Sequence, residues 1–367
     1  MAKNSLTIPS LALKIATEAD AYKFLEELRW DGEPDGCLHC GEVGATYLIR
    51  PQNGVSRKTR TGNMSERRVW KCRACKGQFS VLTGTIFHGT KIPVRTWLFV
   101  IVDMCSAKNG MSAREVERKY GVTPKTAWHM LHRIREAMTL EPLAGLMRGT
   151  IQADETWIGG NPKNRHRKDP REQGRGKWGS DKMPVLSLVD TATGEVRSRV
   201  VPDVTGATLL PVMRGQVDMA VTTLHTDASK SYTGTIARQA KAHAYVTHER
   251  DEYVRDGVST NMAEGYFSQL KRSIDGTHHH VSREHLQRYL NEFDFRYSTC
   301  EMDDHERVRT LIERVPGRRL SYRPLTRSQA PQRTAPKPQQ RRRDAGLTLD
   351  EAMERAHRQA AEGRGDV

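Results

Sequence analysis

The alternation of apolar and polar positions divides the chain into a helical first part and a second part in which strands and helices alternate. Before residue 140 the apolar residues recur with helical spacing, and from residue 149 onward short apolar runs are separated by turn residues. In the first part the pattern predicts helices at residues 17–30, 96–105, 112–120 and 125–138. In the second part it predicts strands at 150–158, 183–189 and 196–201, a helix at 209–217, a strand at 220–227, a helix at 229–240, a strand at 244–246 and a helix at 261–272.

The last predicted helix has two distinct faces. With 3.6 residues per turn, one face carries Asn261, Glu264, Ser268 and Lys271, while apolar positions follow each other down another face: Met262, Tyr266, Leu270 and Ile274. A helix face that combines a carboxylate, an amide, a hydroxyl and an ammonium group is expected to line a functional site, for which we consider a metal site first.

The charge of the chain limits the class of partner. The 367 residues carry a formal charge of +15 with a pI near 9.7. No apolar run reaches the roughly 18 residues of a membrane span, and the N-terminus lacks the pattern of a signal peptide. We therefore expect a cytoplasmic, nucleoid-associated protein with a polyanionic partner, nucleic acid first, and no membrane partner.

Four of the six cysteines form two pairs with CxxC spacing. Cys37 and Cys40 make the first pair, and Cys72 and Cys75 the second. In a reducing compartment such pairs favour metal over disulfides, and four thiolates fill a tetrahedral zinc shell. The prediction is a zinc ribbon with a structural Zn²⁺; the alternative is four unligated thiols. His39 is surplus to the four cysteines and is expected at the surface.

A short turn with glycine and proline separates two predicted helices at 112–120 and 125–138. This layout is typical of a helix-turn-helix DNA-binding unit. The residues expected to meet DNA are Lys125, Thr126, His129 and His132. The alternative is an ordinary helical hairpin whose basic residues are solvated.

Three carboxylates in the α/β part lie on different predicted elements and are candidates for one metal site. Asp154 lies in the first predicted strand, Asp227 ends the fourth, and Glu264 lies on the last helix. This order is that of an RNase-H-like core. Phosphoryl transfer on nucleic acid uses two divalent ions about 4 Å apart, and Mg²⁺ (or Mn²⁺) prefers oxygen ligands. We expect Asp154 to bridge both ions, Asp227 to bind one and Glu264 to complete the site, with Lys271 two turns further as a contact to DNA phosphate.

The same residues have simpler interpretations. Asn261 and Glu264 are spaced as a helix N-cap and its capping-box partner. Of the two, Glu264 is the better Mg²⁺ ligand because it is an anion, and Asn261 is expected to cap the helix and reach the site through water. Glu155 follows Asp154 and is therefore expected on the opposite face of the sheet. The histidine run 278–280 is expected to be a solvated loop.

Several motifs together resemble one family. Besides the two cysteine pairs and the helix-turn-helix, these are the segments ADETWIGG at 153–160, Asp227 with Tyr232, NMAE at 261–264 followed by Lys271 and Arg272, GTHHHVS at 276–282, and the run from 285 to 297. They are similar to the zinc-ribbon insertion-sequence transposases of the ISXO2-like family. The chain departs from that pattern at Ser298, where the family has asparagine.

The resemblance implies a DDE-type transposase. Such an enzyme hydrolyses DNA at the ends of its element and then directs the freed 3′-hydroxyl at target DNA, with Mg²⁺ and without a covalent enzyme intermediate. It implies double-stranded DNA as partner, both terminal inverted repeats and target, action as a homo-oligomer, and Arg272 as a further DNA contact. Descriptions of the family differ on whether asparagine or glutamate is the third catalytic residue, so Asn261 and Glu264 both remain candidates.

The expected organisation has four segments. Residues 1–90 hold an N-terminal helix and the zinc ribbon, 91–145 the helix-turn-helix region, 146–315 the RNase-H-like catalytic domain, and 316–367 a basic disordered linker with a short helix. Two other functions remain open: a catalytically retired, zinc-dependent DNA-binding regulator, and a nuclease without strand transfer.

Overall fold

The computed structural model describes residues 6–50, 66–140, 145–159, 182–247, 254–255 and 257–321. Most of the predicted basic linker and its short helix, from residue 322 onward, lies outside these ranges, and so does most of the two basic segments 56–68 and 161–182. Among the described residues, no helix is both long and apolar enough to cross a membrane.

The described ranges contain ten α-helices and ten strands. The helices are Ile8–Lys14 (α1), Glu18–Trp30 (α2), Val94–Ser106 (α3), Ala113–Tyr120 (α4), Pro124–Ala137 (α5), Gly206–Gln216 (α6), Thr235–Gln239 (α7), Asn261–Ser273 (α8), Leu286–Ser298 (α9) and Asp304–Glu313 (α10). The strands are Thr46–Leu48 (β1), Trp70–Cys72 (β2), Gln78–Phe79 (β3), Thr150–Ile158 (β4), Met183–Asp190 (β5), Val196–Val200 (β6), Thr223–Asp227 (β7), Ala242–Val246 (β8), Val254–Arg255 (β9) and Val258–Ser259 (β10).

Four of the first five helices, all except α3, start where the sequence supplies a capping hydroxyl. Thr17 caps α2 in a full capping box with Asp20, and Ser112 accepts a hydrogen bond from the Glu115 amide at the start of α4. Between α4 and α5, Gly121 adopts φ 64°, and Thr123 caps α5. The predicted helix, turn and helix are therefore confirmed as secondary structure.

The zinc-ribbon segment is a small antiparallel sheet in the order β1-β2-β3. It is joined to α2 by Glu26, which is 1% exposed. The Glu26 carboxylate accepts hydrogen bonds from Arg68 Nε at 2.6 Å and from Trp70 Nε1 at 2.8 Å. These bonds satisfy a carboxylate that would otherwise be costly to bury, and they fix β2 against the helix.

The first five helices share one hydrophobic core with the end of the described chain. Leu25 of α2, Ile101 of α3 and Leu131 of α5 are fully or almost fully buried in this core. The same core takes in Phe295 of α9 and Leu311 of α10. The N-terminal helical unit is therefore completed by residues far downstream.

The second part is built on a five-stranded mixed sheet in the order β6-β5-β4-β7-β8. Strands β4, β5 and β6 are antiparallel neighbours, whereas β4, β7 and β8 run parallel. The predicted order of strands and helices is confirmed. β4 is the central strand of the sheet, with an antiparallel neighbour on one side and a parallel neighbour on the other.

Different helices cover the two faces of this sheet. On one face, Ile151 and Ala153 of β4 pack in a core with Leu209 of α6 and Tyr232. On the other, Ile158 of β4 packs in a core with Tyr266 of α8. Successive residues of β4 therefore serve two separate layers, as the alternation of a strand requires.

Two details of the second part concern the predicted helix at 229–240 and the residue Ser298. The helix predicted at 229–240 is restricted to α7, because Gly234 has φ 95° and the preceding residues form turns. At the position that departs from the family pattern, the Ser298 hydroxyl accepts a hydrogen bond from the Val196 amide at 2.9 Å. This residue thus joins the end of α9 to the start of β6.

A buried cluster of charges joins the two parts of the chain. Glu292 of α9 has no exposed surface, and it pairs with Arg135 of α5 at 2.6 Å and with Arg296 at 2.7 Å. Burial alone would raise the pKa of Glu292, but the two guanidinium groups lower it to about 2. Arg296 also donates to the carbonyl oxygens of Met104 and Ala107 at the end of α3.

Replacing Glu292 by glutamine leaves two buried guanidinium groups without their counter-charge. We expect the free energy of unfolding to fall by about 3 to 5 kcal/mol, measured by urea denaturation at neutral pH. Because the pKa in the folded chain, about 2, lies below the ordinary value of 4.5, the loss is complete above pH 4.5 and shrinks as the pH falls towards 2.

The matched control is Glu313→Gln, which removes the partner of Arg309 in an exposed pair on α10. Its unfolding midpoint should equal that of the wild type. Equal midpoints for Glu292→Gln and the wild type at neutral pH would contradict the role assigned to Glu292.

Candidate zinc centre and acidic site

Four cysteine sulfurs converge in the ribbon. The Sγ atoms of Cys37 and Cys75 are 3.6 Å apart, those of Cys40 and Cys72 are 3.8 Å apart, and all four lie within 4.8 Å of one another. Four sulfurs placed about 2.3 Å from a central ion in a tetrahedron are separated by about 3.8 Å. The predicted cysteine set is confirmed as a cluster, and its spacing and thiolate chemistry fit a structural Zn²⁺.

His39 supports this cluster and does not belong to it. Its ring nitrogen Nε2 lies 3.1 Å from the carbonyl oxygen of Gln78. A Cβ at Gly77 would come within 2.7 Å of the imidazole ring, so this glycine permits the second knuckle to close on the first. His39 is exposed, as the sequence predicts.

Asp154 and Asp227 lie on neighbouring parallel strands. The pairing of β4 with β7 joins Gln152 to His225. Asp154 and Asp227 each lie two residues beyond this last pair, on the same face of their strands, and neighbouring strands of a sheet are about 4.8 Å apart. Both residues are partly exposed. The structure thus brings together two carboxylates that are separated by 73 positions in the sequence.

Helix α8 covers the face of the sheet that carries these aspartates. Gln152, on the same face of β4 as Asp154, accepts hydrogen bonds from the amides of Met262 and Ala263 at 3.0 and 3.2 Å. Glu264 follows directly on this first turn and is partly exposed. The two aspartates and Glu264 therefore belong to the same layer of the fold.

The predicted cap of α8 is wrong. The N-cap residue is Thr260, whereas Asn261 is the first residue inside the helix and is exposed. The Thr260 hydroxyl lies 3.4 Å from Glu264 Oε1. Asn261 and Glu264 consequently do not form a capping box, and the purely structural explanation of their spacing does not hold.

The two faces of α8 are as predicted. Tyr266, Leu270 and Ile274 are buried, and Ser268 and Lys271 are exposed. Lys271 lies two turns, about 10 Å along the axis, beyond Glu264. Arg272 is exposed beside it. Both cations are accessible at the far end of the helix from the aspartates.

Glu155 faces the other side of the sheet, but the charges of Asp154 and Asp227 still affect its pKa. Burial raises the pKa of Glu155 to about 7, the Tyr232 hydroxyl lowers it, and the charges of Asp227 and Asp154 raise it further. The pKa of Tyr232, which is fully buried, lies well above its usual value because of burial and of these same carboxylates. Asp154, Asp227 and Glu155 therefore lie close enough together for their charges to interact.

These carboxylates do not form a compact single-ion cage. Among the described residues, the four cysteines are the group of potential ligands whose donor atoms all lie within 4.8 Å of one another. Asp154, Asp227 and Glu264 supply oxygen donors, which is the chemistry that Mg²⁺ and Mn²⁺ prefer. Two ions about 4 Å apart require donors spread more widely than a single shell.

The residues expected to meet DNA on α5 differ in accessibility. Lys125 is exposed, and Thr126 and His129 are partly buried. The Thr126 hydroxyl lies 2.9 Å from that of Thr123 in the helix cap. His132 is completely buried and stacks against Trp128, so its expected contact with DNA is wrong in this structure.

The histidine run is divided between interior and surface. His279 and His280 are exposed, as predicted, but His278 packs against Tyr289 and Phe293 of α9. Burial lowers the pKa of His278 to about 4. The expectation of a wholly solvated loop is therefore wrong for His278.

The sequence analysis overlooked Gln152. A glutamine inside a predicted strand carries no signal by itself, and its hydrogen-bond partners are more than 100 positions away. The only available clue was its position two residues before Asp154, on the same side of the strand.

Comparison with known proteins gives two family matches and one relative. Residues 16–78 match the model of the transposase zinc-ribbon domain, and residues 146–298 match that of the ISXO2-like transposase domain. The chain is also 24% identical over 303 residues to a protein of Halobacterium salinarum described as an uncharacterised protein in transposable element ISH50. That similarity spans 81% of this chain and 96% of the relative.

Replacing Cys72 by serine should remove the zinc and the order of the ribbon. We expect the purified chain to hold one Zn²⁺ by elemental analysis and the variant to hold none. The near-ultraviolet circular dichroism of Trp70, which packs in the ribbon core, should change at the same time. Cys300→Ser is the control, because Cys300 is exposed and lies outside the cluster. A full zinc content in the Cys72 variant would contradict the assignment.

Proposed function

We propose that this member of the ISXO2-like transposase family is an active DNA transposase that cuts the ends of an insertion sequence and joins them to target DNA. The observation that carries the proposal is the adjacency of Asp154 and Asp227 on parallel strands under the helix that bears Glu264. Mixed sheet order, with three antiparallel strands followed by two parallel ones, supports an RNase-H-like core.

In this proposal the three acidic residues act together. Asp154, on the central strand, would hold both Mg²⁺ ions together with Asp227 and Glu264. The bound ions would activate the attacking oxygen and stabilise the leaving oxygen. The residues of the chain hold these ions, and Lys271 and Arg272 contact the phosphates of the bound strand.

The N-terminal part of the chain recognises the element ends. The zinc ribbon, which follows the N-terminal helix within 1–90, and the helix-turn-helix region at 91–145 bind the terminal repeats, and 146–315 carries out the chemistry. The exposed Lys125 at the start of α5 supports contact with a phosphate, and Thr126 and His129 lie within the next turn. Two ends must be brought together for joining, so we infer a homo-oligomer on double-stranded DNA.

Asp154→Ala and Asp227→Ala should each abolish cleavage and joining. The assay uses a labelled duplex with the cognate terminal repeat, a supercoiled target and Mg²⁺, and it resolves nicked, cut and joined products. Wild type is expected to give all three, and the variants none. If the wild type only nicks or cuts, the protein is a nuclease without strand transfer. If wild type and Asp154→Ala both leave the DNA intact while binding it, the protein is a DNA-binding regulator.

The third ligand is decided by a pair of variants. Glu264→Gln should abolish joining because an amide binds Mg²⁺ poorly, whereas Asn261→Ser should keep much of the activity. Both are scored in the same joining assay, with DNA binding measured in parallel to exclude a loss of substrate. The reverse outcome would give the role to Asn261.

Lys125→Ala should weaken binding to the terminal repeat and reduce the salt dependence. If Lys125 contacts one phosphate, the slope of log K against log salt concentration changes by about one. Lys23→Ala is the charge-matched control, since Lys23 is exposed on α2 and is expected to leave the slope unchanged. An unaltered slope for Lys125→Ala would remove Lys125 from the DNA interface.

A further inference from the structure

Gln152 forms a buried bridge between the strand of Asp154 and the helix of Glu264. Its side chain is 3% exposed, and Oε1 accepts from both Met262 N and Ala263 N. On the other side of the same amide, Nε2 donates to the Ser259 hydroxyl at 3.3 Å. One side chain therefore holds the end of β10 and the first turn of α8.

These bonds replace the cap that α8 lacks. Thr260 occupies the N-cap position but makes no side-chain capping bond. The first amides of a helix have no partner within the helix, and a buried helix start needs another acceptor for them. In α8 that acceptor comes from the sheet, at a position two residues before Asp154.

The start and the middle of α8 are anchored separately. In the middle, the buried Tyr266 hydroxyl donates to Asp294 Oδ1 at 2.6 Å. The same carboxylate oxygen also accepts a hydrogen bond from the Ser198 hydroxyl. At the start, Gln152 is the side chain that holds the amides directly before Glu264. A change at Gln152 therefore frees the first turn while the Tyr266 anchor remains.

We propose that Gln152 is a positioning residue that fixes the first turn of α8 over β4 and so sets Glu264 relative to Asp154. This inference rests on the proposed function, because it states that Gln152 controls the distance between two proposed metal ligands, Asp154 and Glu264. Such outer-shell partners typically change metal affinity or activity by about 10- to 100-fold when they are replaced.

The test compares Gln152→Met, which keeps the volume of the side chain but removes the acceptor, with Gln152→Glu, which keeps an acceptor oxygen. Two properties are measured. Hydrogen exchange reports on the amides of the segment from Ser259 to Tyr266, and the joining assay gives the Mg²⁺ concentration for half-maximal product. For Gln152→Met we expect faster exchange in this segment and a Mg²⁺ requirement about 10- to 100-fold higher.

Gln152→Glu should keep the amides protected and the Mg²⁺ requirement within tenfold of the wild type. Gln287→Met is the matched control. Gln287 is a partly buried glutamine that accepts from Val200 N and donates to Ser198 O and Asn291 Oδ1, so its recorded hydrogen bonds join α9 to the sheet. It should lower the thermal midpoint and leave the Mg²⁺ requirement unchanged.

The outcomes separate this inference from the proposed function. If Gln152→Met lowers only the thermal midpoint, with an unchanged Mg²⁺ requirement, Gln152 is merely structural and the inference fails. If Gln152→Met does not fold, Gln152→Glu decides: protected amides with a wild-type Mg²⁺ requirement support the inference, and a large shift despite protected amides overturns it. An inactive wild type would instead contradict the proposed function. The hydrogen-exchange data would still show whether Gln152 holds the first turn of α8.

Discussion

The architecture depends on one buried carboxylate. Glu292 is placed where α9, α5 and the end of α3 meet, and its charge is compensated by Arg135 and Arg296. Gly110 follows α3 with φ 82°, and a Cβ there would come within 2.8 Å of Glu292 Oε1. Buried ion pairs add little net stability compared with apolar packing, but a broken pair is very unfavourable. The cluster therefore disfavours any arrangement of α3, α5 and α9 that separates these charges.

The sequence allowed the local and periodic features to be predicted. The two CxxC pairs, the capped helices around Gly121 and the order of strands and helices all follow from short-range patterns, and the structure confirms them. The RNase-H-like order predicted for the strands led us to expect Asp154 and Asp227 at one site, and the parallel pairing of β4 with β7 is the contact that the structure adds. The roles of these residues in catalysis stay predictions.

Features set by distant contacts could not be predicted. A histidine on a basic helix looks like a DNA contact, yet His132 packs against the rings of His285 and Tyr289, at the N-cap and in the first turns of α9, about 150 positions downstream. Asn261 has the sequence of a helix cap, yet the helix starts one residue earlier and takes its acceptor from Gln152. In each case a tertiary partner outweighs the local preference, and no local pattern encodes that partner.

The shared core of α1 to α5 with Phe295 and α10 has a consequence for synthesis of the protein. A ribosome adds about 5 to 20 residues per second, so roughly 10 to 35 s pass between the end of α5 and the end of α10. During that interval the apolar surface that later receives Leu311 and Ile312 is uncovered. The N-terminal unit thus reaches its final packing only when the mixed sheet has already been translated, and a nascent chain truncated within the sheet exposes this surface to chaperones and proteases.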